Sequence, residues 1–393
     1  MATIAERYSY PLVFDRVIND FIKICESVFC SKKLGILLVG SSARGEFCWS
    51  GNIDAPVFYS DIEFIVVIDR ADLKFKKNFH DEIRKLNSSL SFGVRFKVDY
   101  VINTWSDLKK ADKKIFIFDS KNKGIDLSCN SVVSVLPDVT INNINFSELN
   151  DILLHRMKAV IADIPEDVFT SEEISPELCM SISKNSLDST TWLFPYEAEK
   201  LLSGFKERLE VWKAKKNQLN IFDFFDDSQL LFLINCDAMR SRAAPLRKDV
   251  ELLNQYIELY NRALAYCKAR NNIGIDVNID SPNASRKIFW EYNPRRRLKE
   301  AYLILRNFKS FGYRNIFRNI FLPRKGRQVS FCFSMIKALA AHMNGNEGIF
   351  AAEVDASHEK LKLIMNVQIT GEDPVSKWQN LRKSYLSINS VFI

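Results

Sequence analysis

The sequence predicts an α/β amino-terminal third, a mixed sheet with flanking helices, followed by an all-helical stretch and a basic carboxy-terminal region. Three observations carry that prediction. Short apolar, β-branched runs alternate with helix-period segments as far as about residue 145. From Phe146 the apolar spacing turns to i, i+3, i+4 almost throughout. Between Arg286 and Arg327, 13 Lys or Arg stand against Glu291 and Glu300, a local net charge of +11.

The elements follow in order. Val13, Val17, Phe21 and Ile24 within residues 11–30 have the spacing of an amphipathic helix. Leu34 to Val39 reads as a fully buried strand that ends abruptly in Gly40-Ser41-Ser42, a tight turn. Asp61 to Ile68 begins with alternation and finishes wholly apolar, which suits a central strand. Leu73 to Leu90 is a helix candidate, and Arg95 to Ile102 alternates as another strand. Helices are expected over 147–162, 176–193, 196–217, 228–241 and 246–270, with breaks at Pro165, Pro176, Pro195 and Pro245. Asn271 to Asn283 reads as a loop, Val329 to Met343 as a helix, and Leu361 to Ile369 as a strand-like run.

Composition narrows the function classes. With 47% hydrophobic residues over 393 positions, intrinsic disorder is excluded and two or three domains are expected. The total charge of +7 leaves −4 outside the basic stretch, so any polyanion contact is localised there. No apolar run reaches the roughly 18 residues of a membrane span. Glu6, Arg7, Asp15, Arg16 and Asp20 do not fit a secretory leader, so a cytoplasmic location is expected. Eight cysteines without a C-x-x-C pair read as reduced thiols, mostly buried. Gly-x-Ser-x-Gly, Walker-type and Gly-x-Gly-x-x-Gly patterns do not occur, which counts against hydrolase, P-loop and dinucleotide-binding readings.

Chemistry concentrates in Gly40-Ser41-Ser42-Ala43-Arg44-Gly45-Glu46, then Ser60-Asp61-Ile62-Glu63, then Lys97-Val98-Asp99-Tyr100. A strand that ends in Gly-Ser offers backbone N–H groups and a hydroxyl to an anion, and glycine lets a phosphate approach the backbone closely. Asp61 and Glu63, two apart on a strand, project from one face, and Asp99 can join them from a neighbouring strand. Three clustered carboxylates repel one another unless a divalent cation lies between them. Mg²⁺, with Mn²⁺ as a substitute, is the natural occupant, and two such ions could clamp the attacking and leaving oxygens of a phosphoryl displacement.

Gly-Ser followed by Arg-Gly-Glu, Asp-x-Glu in an apolar strand and a third acid one strand later resembles the nucleotidyltransferase superfamily that includes DNA polymerase beta and the aminoglycoside nucleotidyltransferases. The resemblance spans Ile36 to Ile102, and a helical domain after the catalytic one is also similar to that superfamily. The stretch from Tyr196 to Trp212 resembles uncharacterised members found in surface-polysaccharide gene clusters. Two departures stand out: Asp61 lies 20 residues after Ser41, a longer spacing than in minimal members, and the second acid is Glu63, as in kanamycin-modifying enzymes.

The resemblance implies that Gly40 and Ser41 seat the β- and γ-phosphates of a nucleoside triphosphate and that Asp61 and Glu63 hold Mg²⁺. Asp99 would complete a second metal site or act as base towards the acceptor hydroxyl. Arg44 would help to place phosphate; the competing reading is a structural pair with Glu46. Lys184 is the candidate phosphate contact of the helical domain, against the reading of a solvated helix lysine. The implied reaction moves a nucleoside monophosphate to a hydroxyl of a small molecule or glycan, releasing pyrophosphate. The alternatives are a macromolecular acceptor, through protein adenylylation or RNA end extension, and a catalytically silent nucleotide-binding protein.

The basic stretch itself has three readings. Arg295-Arg296-Arg297, then Phe308, Phe311, Tyr313, Ile316, Phe317, Ile320 and Phe321 among Lys309, Arg314 and Arg318, can form a helix with an aromatic and a cationic face. Such a helix can pack its aromatic face on a core, lie peripherally on an anionic membrane surface, or bind a polyanion. The expected organisation is a nucleotidyltransferase core at 1–145, an all-α domain at 146–285, and the basic region at 286–393, with the active site in the cleft between the first two.

Overall fold

The computed structural model describes residues 3–389 except 31–32, 71, 94–95, 172, 216–222, 243, 280, 290–293, 307–324, 366–368, 370 and 372. Two compact units emerge: Met1–Ile144 with Glu199–Val211 and Arg240–Ala243, and Asn145–Ala198 with Trp212–Met239 and Ala244–Ile393. The protein is thus a mixed helix and sheet structure, with a small mixed sheet and flanking helices in the first unit and helices throughout the second.

The first unit begins with α1 (Ile4–Tyr8), capped by Thr3 and Glu6 in a reciprocal capping box, and α2 (Leu12–Phe29). β1 (Gly35–Val39) runs into the short α3 (Gly40–Arg44), then a hairpin of β2 (Trp49–Asn52) and β3 (Ala55–Phe58) precedes β4 (Ile62–Ile68). α4 (Leu73–Ser89) crosses to β5 (Val98–Thr104), followed by α5 (Trp105–Lys109), α6 (Ile115–Lys123) and β6 (Ile125–Asp126). The sheet order is β5-β4-β1-β6; β4 and β5 are parallel and the other pairs antiparallel.

Alternation along the strands decides which side chains meet the helices. Leu34, Ile36 and Leu38, with Ile62, Phe64, Val66 and Ile68, share one core with Phe14, Val17, Ile18 and Phe21 of α2 and with Phe79 and Ile83 of α4. Phe21 stacks on Phe64 at 3.8 Å between ring centroids, and both are buried. β1 and β4 are buried on both faces, which is why they read as nearly continuous apolar runs. The strand expected at Arg95–Ile102 begins at Val98 and reaches Thr104. The strand that ends in Gly40-Ser41 turns into a helix as expected, whereas the hairpin at 49–58 was not expected from the sequence.

The second unit contains α7 (Phe146–Asp163), α8 (Pro176–Ala198), only the last turn of α9 (Phe205–Lys215), all but the final residue of α10 (Asp227–Arg240), then α11 (Val250–Arg270), α12 (Pro282–Phe289), α13 (Pro294–Arg306), α14 (Lys325–Met343), α15 (Glu347–Lys362) and α16 (Pro374–Asn389). Two expectations are corrected here. Pro195 does not break α8, because Trp192, Leu193, Phe194 and Tyr196 are all buried around it and Arg270 Nη2 donates to the Tyr196 carbonyl at 2.9 Å. That burial outweighs the few kcal/mol a helical proline costs. The helix expected over 196–217 starts only at Phe205, since Glu199 (φ 49°) and Gly204 (φ 87°) take left-handed backbone conformations.

Asn150 lies at the centre of this unit: its side-chain carbonyl accepts from Trp192 Nε1 and Tyr196 Oη, and its amide donates to the Ile288 carbonyl. The run at 361–369 is no strand in its described part: Leu361 and Lys362 close α15 and 363–365 form a turn. Pro282 opens α12 rather than ending a loop. Of the basic stretch, the aromatic and cationic residues from Phe308 to Phe321 lie outside the described residues, as do the side chains of Arg295, Arg296 and Arg297 on α13. Among the described residues no helix is long and apolar enough to cross a membrane.

Phe21 is the sharpest probe of the first unit's core. Phe21→Ala removes a fully buried ring from a stacked pair and is expected to cost about 3–5 kcal/mol, read as a lowered midpoint in urea unfolding. A loss below about 1 kcal/mol would contradict the packing described.

Candidate functional site

The candidate site belongs wholly to the first unit and is built where β1, β4 and β5 end or begin side by side. Glu63 is registered opposite Val39 on one side and Asp99 on the other. Ile62 and Phe64 point into the aromatic core, so Glu63 and, two residues earlier, Asp61 project from the opposite face. The parallel ladder continues to the Asp61 end of β4, where the Ile62 N–H donates to the Lys97 carbonyl at 3.1 Å. The sheet therefore brings the neighbourhoods of Asp61, Glu63 and Asp99 together, as their sequence pattern suggested.

Gly40 follows Val39 directly and has a φ of 69°. A Cβ at this position would stand 1.9 Å from Glu63 Oε2. A side chain here would have to push the Glu63 carboxylate aside, and the left-handed turn that glycine makes without strain swings the chain from β1 into α3. Ser41 and Ser42 are buried, and Ser42 Oγ donates to the Asp61 carbonyl at 3.4 Å. α3 has five residues, too few for a useful dipole, so the turn offers its backbone N–H groups and hydroxyls and no more.

Asp99 is half-exposed and already engaged. Its Oδ2 accepts from Lys97 Nζ at 2.8 Å and its Oδ1 from the Tyr100 N–H at 2.9 Å. Partial burial works against the charge on Lys97, but the hydrogen bond to Asp99 and the fields of Asp99, Asp61 and Glu63 outweigh it and raise the lysine's pKa. One ammonium thus feels all three carboxylates. Lys97 was quoted beside Asp99 in the sequence and assigned no role there.

Carboxylate oxygens are hard donors of the kind Mg²⁺ takes. Asp61 and Glu63 therefore fit a divalent cation, with Asp99 as a third ligand only after it parts from Lys97. Among the described residues no group of three or more His, Cys, Asp or Glu side chains is gathered as a ready metal cage.

Arg44 is placed differently from a phosphate contact. Its Nε donates to Glu46 Oε2 at 2.8 Å and its Nη1 to Asp119 Oδ2 at 3.4 Å, with all three side chains largely buried. The structural pairing with Glu46 is the arrangement found. Around it, Ser203 Oγ donates to Asp119 Oδ1 at 3.0 Å, the Phe205 N–H to Glu46 Oε1, and Arg240 Nη2 to the Glu46 carbonyl at 3.3 Å. The guanidinium groups of Arg208, Arg240 and Arg44 lie 5.3, 5.8 and 6.0 Å from the Phe205 ring centroid. Burial raises the Asp119 pKa, with Arg44 and Arg208 pulling against it. Gly204 permits the contact, since a Cβ there would stand 2.8 Å from Glu46 Oε1. This network closes segments 199–211 and 240–243 onto the turn that follows Gly40.

Asp119, Ser203 and Arg240 were not singled out by sequence reasoning, and Phe205 and Arg208 stood in the stretch from Tyr196 to Trp212 without an assigned role. The one local signal was Ser203-Gly204 ahead of Phe205, a helix-start pair. Lys184 lies on α8 of the second unit, half-buried between buried Ser183 and Asn185. No family model matches the sequence, and a search of the curated proteins returns no match.

Gly40→Ala places a methyl group against Glu63 in a left-handed backbone. It is expected to destabilise the first unit by about 1–3 kcal/mol, measured by chemical unfolding. An unchanged midpoint would show that the turn tolerates a side chain and that Glu63 does not press on it.

Proposed function

We propose that the protein is a Mg²⁺-dependent nucleotidyltransferase that moves a nucleoside monophosphate from a nucleoside triphosphate to a hydroxyl of a small molecule or glycan. The observation that carries this reading is the alignment of Val39, Glu63 and Asp99 across three adjacent strands, with Gly40 turning away at the one point where the backbone meets the Glu63 carboxylate. That arrangement agrees with the Gly-Ser, Asp-x-Glu and third-acid pattern on which the superfamily resemblance rests.

In this reading the backbone N–H groups after Gly40 and the Ser41 hydroxyl bind the β- and γ-phosphates. Asp61 and Glu63 would hold Mg²⁺, which supplies charge neutralisation at the phosphates when bound. The acceptor oxygen forms a bond to the α-phosphorus as the bond to the bridging oxygen breaks, and pyrophosphate leaves. Asp99 takes the hydroxyl proton at Oδ2, the oxygen that accepts from Lys97 Nζ. Catalysis is then mainly positional and electrostatic. Arg44 is assigned to holding the turn in place.

A macromolecular acceptor is the second reading, and the observation favouring it is the +11 stretch at 286–327. α13, in that stretch, exposes Leu298, Tyr302 and Leu305 at helical spacing beside Arg306. Label from an α-³²P nucleotide on protein or RNA, rather than on a small product, would decide for it. An anionic membrane surface is the other partner of matching charge, and liposome flotation tests it.

The first test is thermal unfolding with each of the four ribonucleoside triphosphates, with and without Mg²⁺. A ligand at 100 times its Kd adds about 2.7 kcal/mol, a shift of a few degrees for a protein of this size. The expected result is a Mg²⁺-dependent rise with one nucleotide that Asp61→Asn removes. No rise with any nucleotide would contradict the reading.

A further inference from the structure

On α13, Leu298, Tyr302 and Leu305 are 71%, 60% and 53% exposed. Their spacing of i, i+4 and i+7 gathers them into one stripe along the helix. Ile304 falls on another face and is fully buried, so the helix is seated on its unit with that stripe turned outward. Arg306, four residues after Tyr302, is exposed on the flank of the stripe. Exposed leucines scattered singly need no explanation, whereas a contiguous apolar stripe rimmed by charge marks a contact surface.

The charge of the same segment limits what can cover it. In sequence, α13 carries Arg295, Arg296, Arg297, Lys299 and Arg306 against Glu300. The wider stretch 286–327 has a net charge of +11, while the rest of the chain sums to −4. A matching surface has to be anionic and accept leucine side chains at the same time. Nucleic acid meets the first condition, but its protein contacts run through cations and stacked aromatic rings, in which leucine has little part. An anionic bilayer meets both. Its headgroups attract the cations, its acyl chains take the leucines, and the boundary between them suits Tyr302, whose ring is apolar and whose hydroxyl stays wet.

We propose that α13 is a membrane-surface helix, which lies in the headgroup region of a bilayer containing anionic phospholipid with Leu298, Tyr302 and Leu305 directed towards the acyl chains. The proposal is independent of the nucleotidyltransferase reading and holds or fails whatever the first unit catalyses. Neither contribution suffices by itself. Three apolar side chains give a weak hold on neutral lipid, and attraction through the cations alone is screened by salt. Acting together they make a contact that is reversible and selective for anionic lipid.

The test is flotation of the full-length protein with phosphatidylcholine vesicles, with and without phosphatidylserine as a minor component, beside fluorescence anisotropy with a single-stranded RNA oligonucleotide. Leu298→Ser and Leu305→Ser are combined in one variant, which keeps every charge and changes only exposed positions. Leu12→Ser with Leu231→Ser is the matched control, since those leucines are 71% and 58% exposed elsewhere on the surface. Wild type and control are expected to float with phosphatidylserine vesicles and not with phosphatidylcholine alone. The α13 variant is expected to bind the anionic vesicles about tenfold or more weakly, the loss of two partly buried leucines. No flotation on anionic vesicles, whether or not RNA is bound, would overturn the proposal. So would flotation that the α13 variant leaves unchanged, or equal flotation on neutral lipid.

Discussion

The register of β4 between antiparallel β1 and parallel β5 is the constraint on which the first unit depends. It places Glu63 between Val39 and Asp99 while Ile62 and Phe64 pack into the aromatic core beneath α2 and α4. Because side chains alternate along a strand, a slip of one residue would send Glu63 into that core and bring Phe64 out to the carboxylates. Burying an unpaired carboxylate is far costlier than any gain from repacking, so the same apolar contacts that stabilise the sheet also hold the acids at its end. Stability and the candidate site share one cause.

A second constraint fixes the turn. The backbone at Gly40 takes a left-handed conformation beside Glu63, and α3 behind it is too short to hold itself. Tyr8 Oη donates to the Ala43 carbonyl at 2.9 Å from one side. From the other, Arg44 is clasped by Glu46 and Asp119, which in turn receive Ser203, the Phe205 N–H and Arg240. Three guanidinium groups around one phenylalanine and two carboxylates form a buried network in which removing any charge would leave others uncompensated. Chain that lies far along the sequence is thereby spent on the turn at Gly40.

How much of this was legible in the sequence follows from how local each feature is. β1 and β4 were legible because strands buried on both faces read as unbroken apolar runs, and the Gly40-Ser41 turn was legible because glycine and serine punctuate such a run. The β2–β3 hairpin was not, since its turn at Ile53-Asp54 lacks the usual glycine or asparagine pair and its tip is exposed. Pro195 misled because the burial that holds α8 together comes from other helices. The Arg44 network joins residues separated by 159 and 194 positions, and no short motif encodes such a pairing. The Lys97–Asp99 ion pair was not legible either, because it depends on where β5 begins.

The central claim is geometric: a triphosphate lies on the Gly40-Ser41 turn and a divalent cation on Asp61 and Glu63. A crystal structure of the protein with Mg²⁺ and a nucleoside triphosphate that cannot be cleaved between the α- and β-phosphates tests it most directly, since no acceptor is needed. The account expects phosphate oxygens within hydrogen-bonding distance of the Ser41 hydroxyl and the backbone N–H groups after Gly40, and the cation on both carboxylates. A nucleotide bound elsewhere, or one held at this turn with no metal on Asp61 and Glu63, would contradict it.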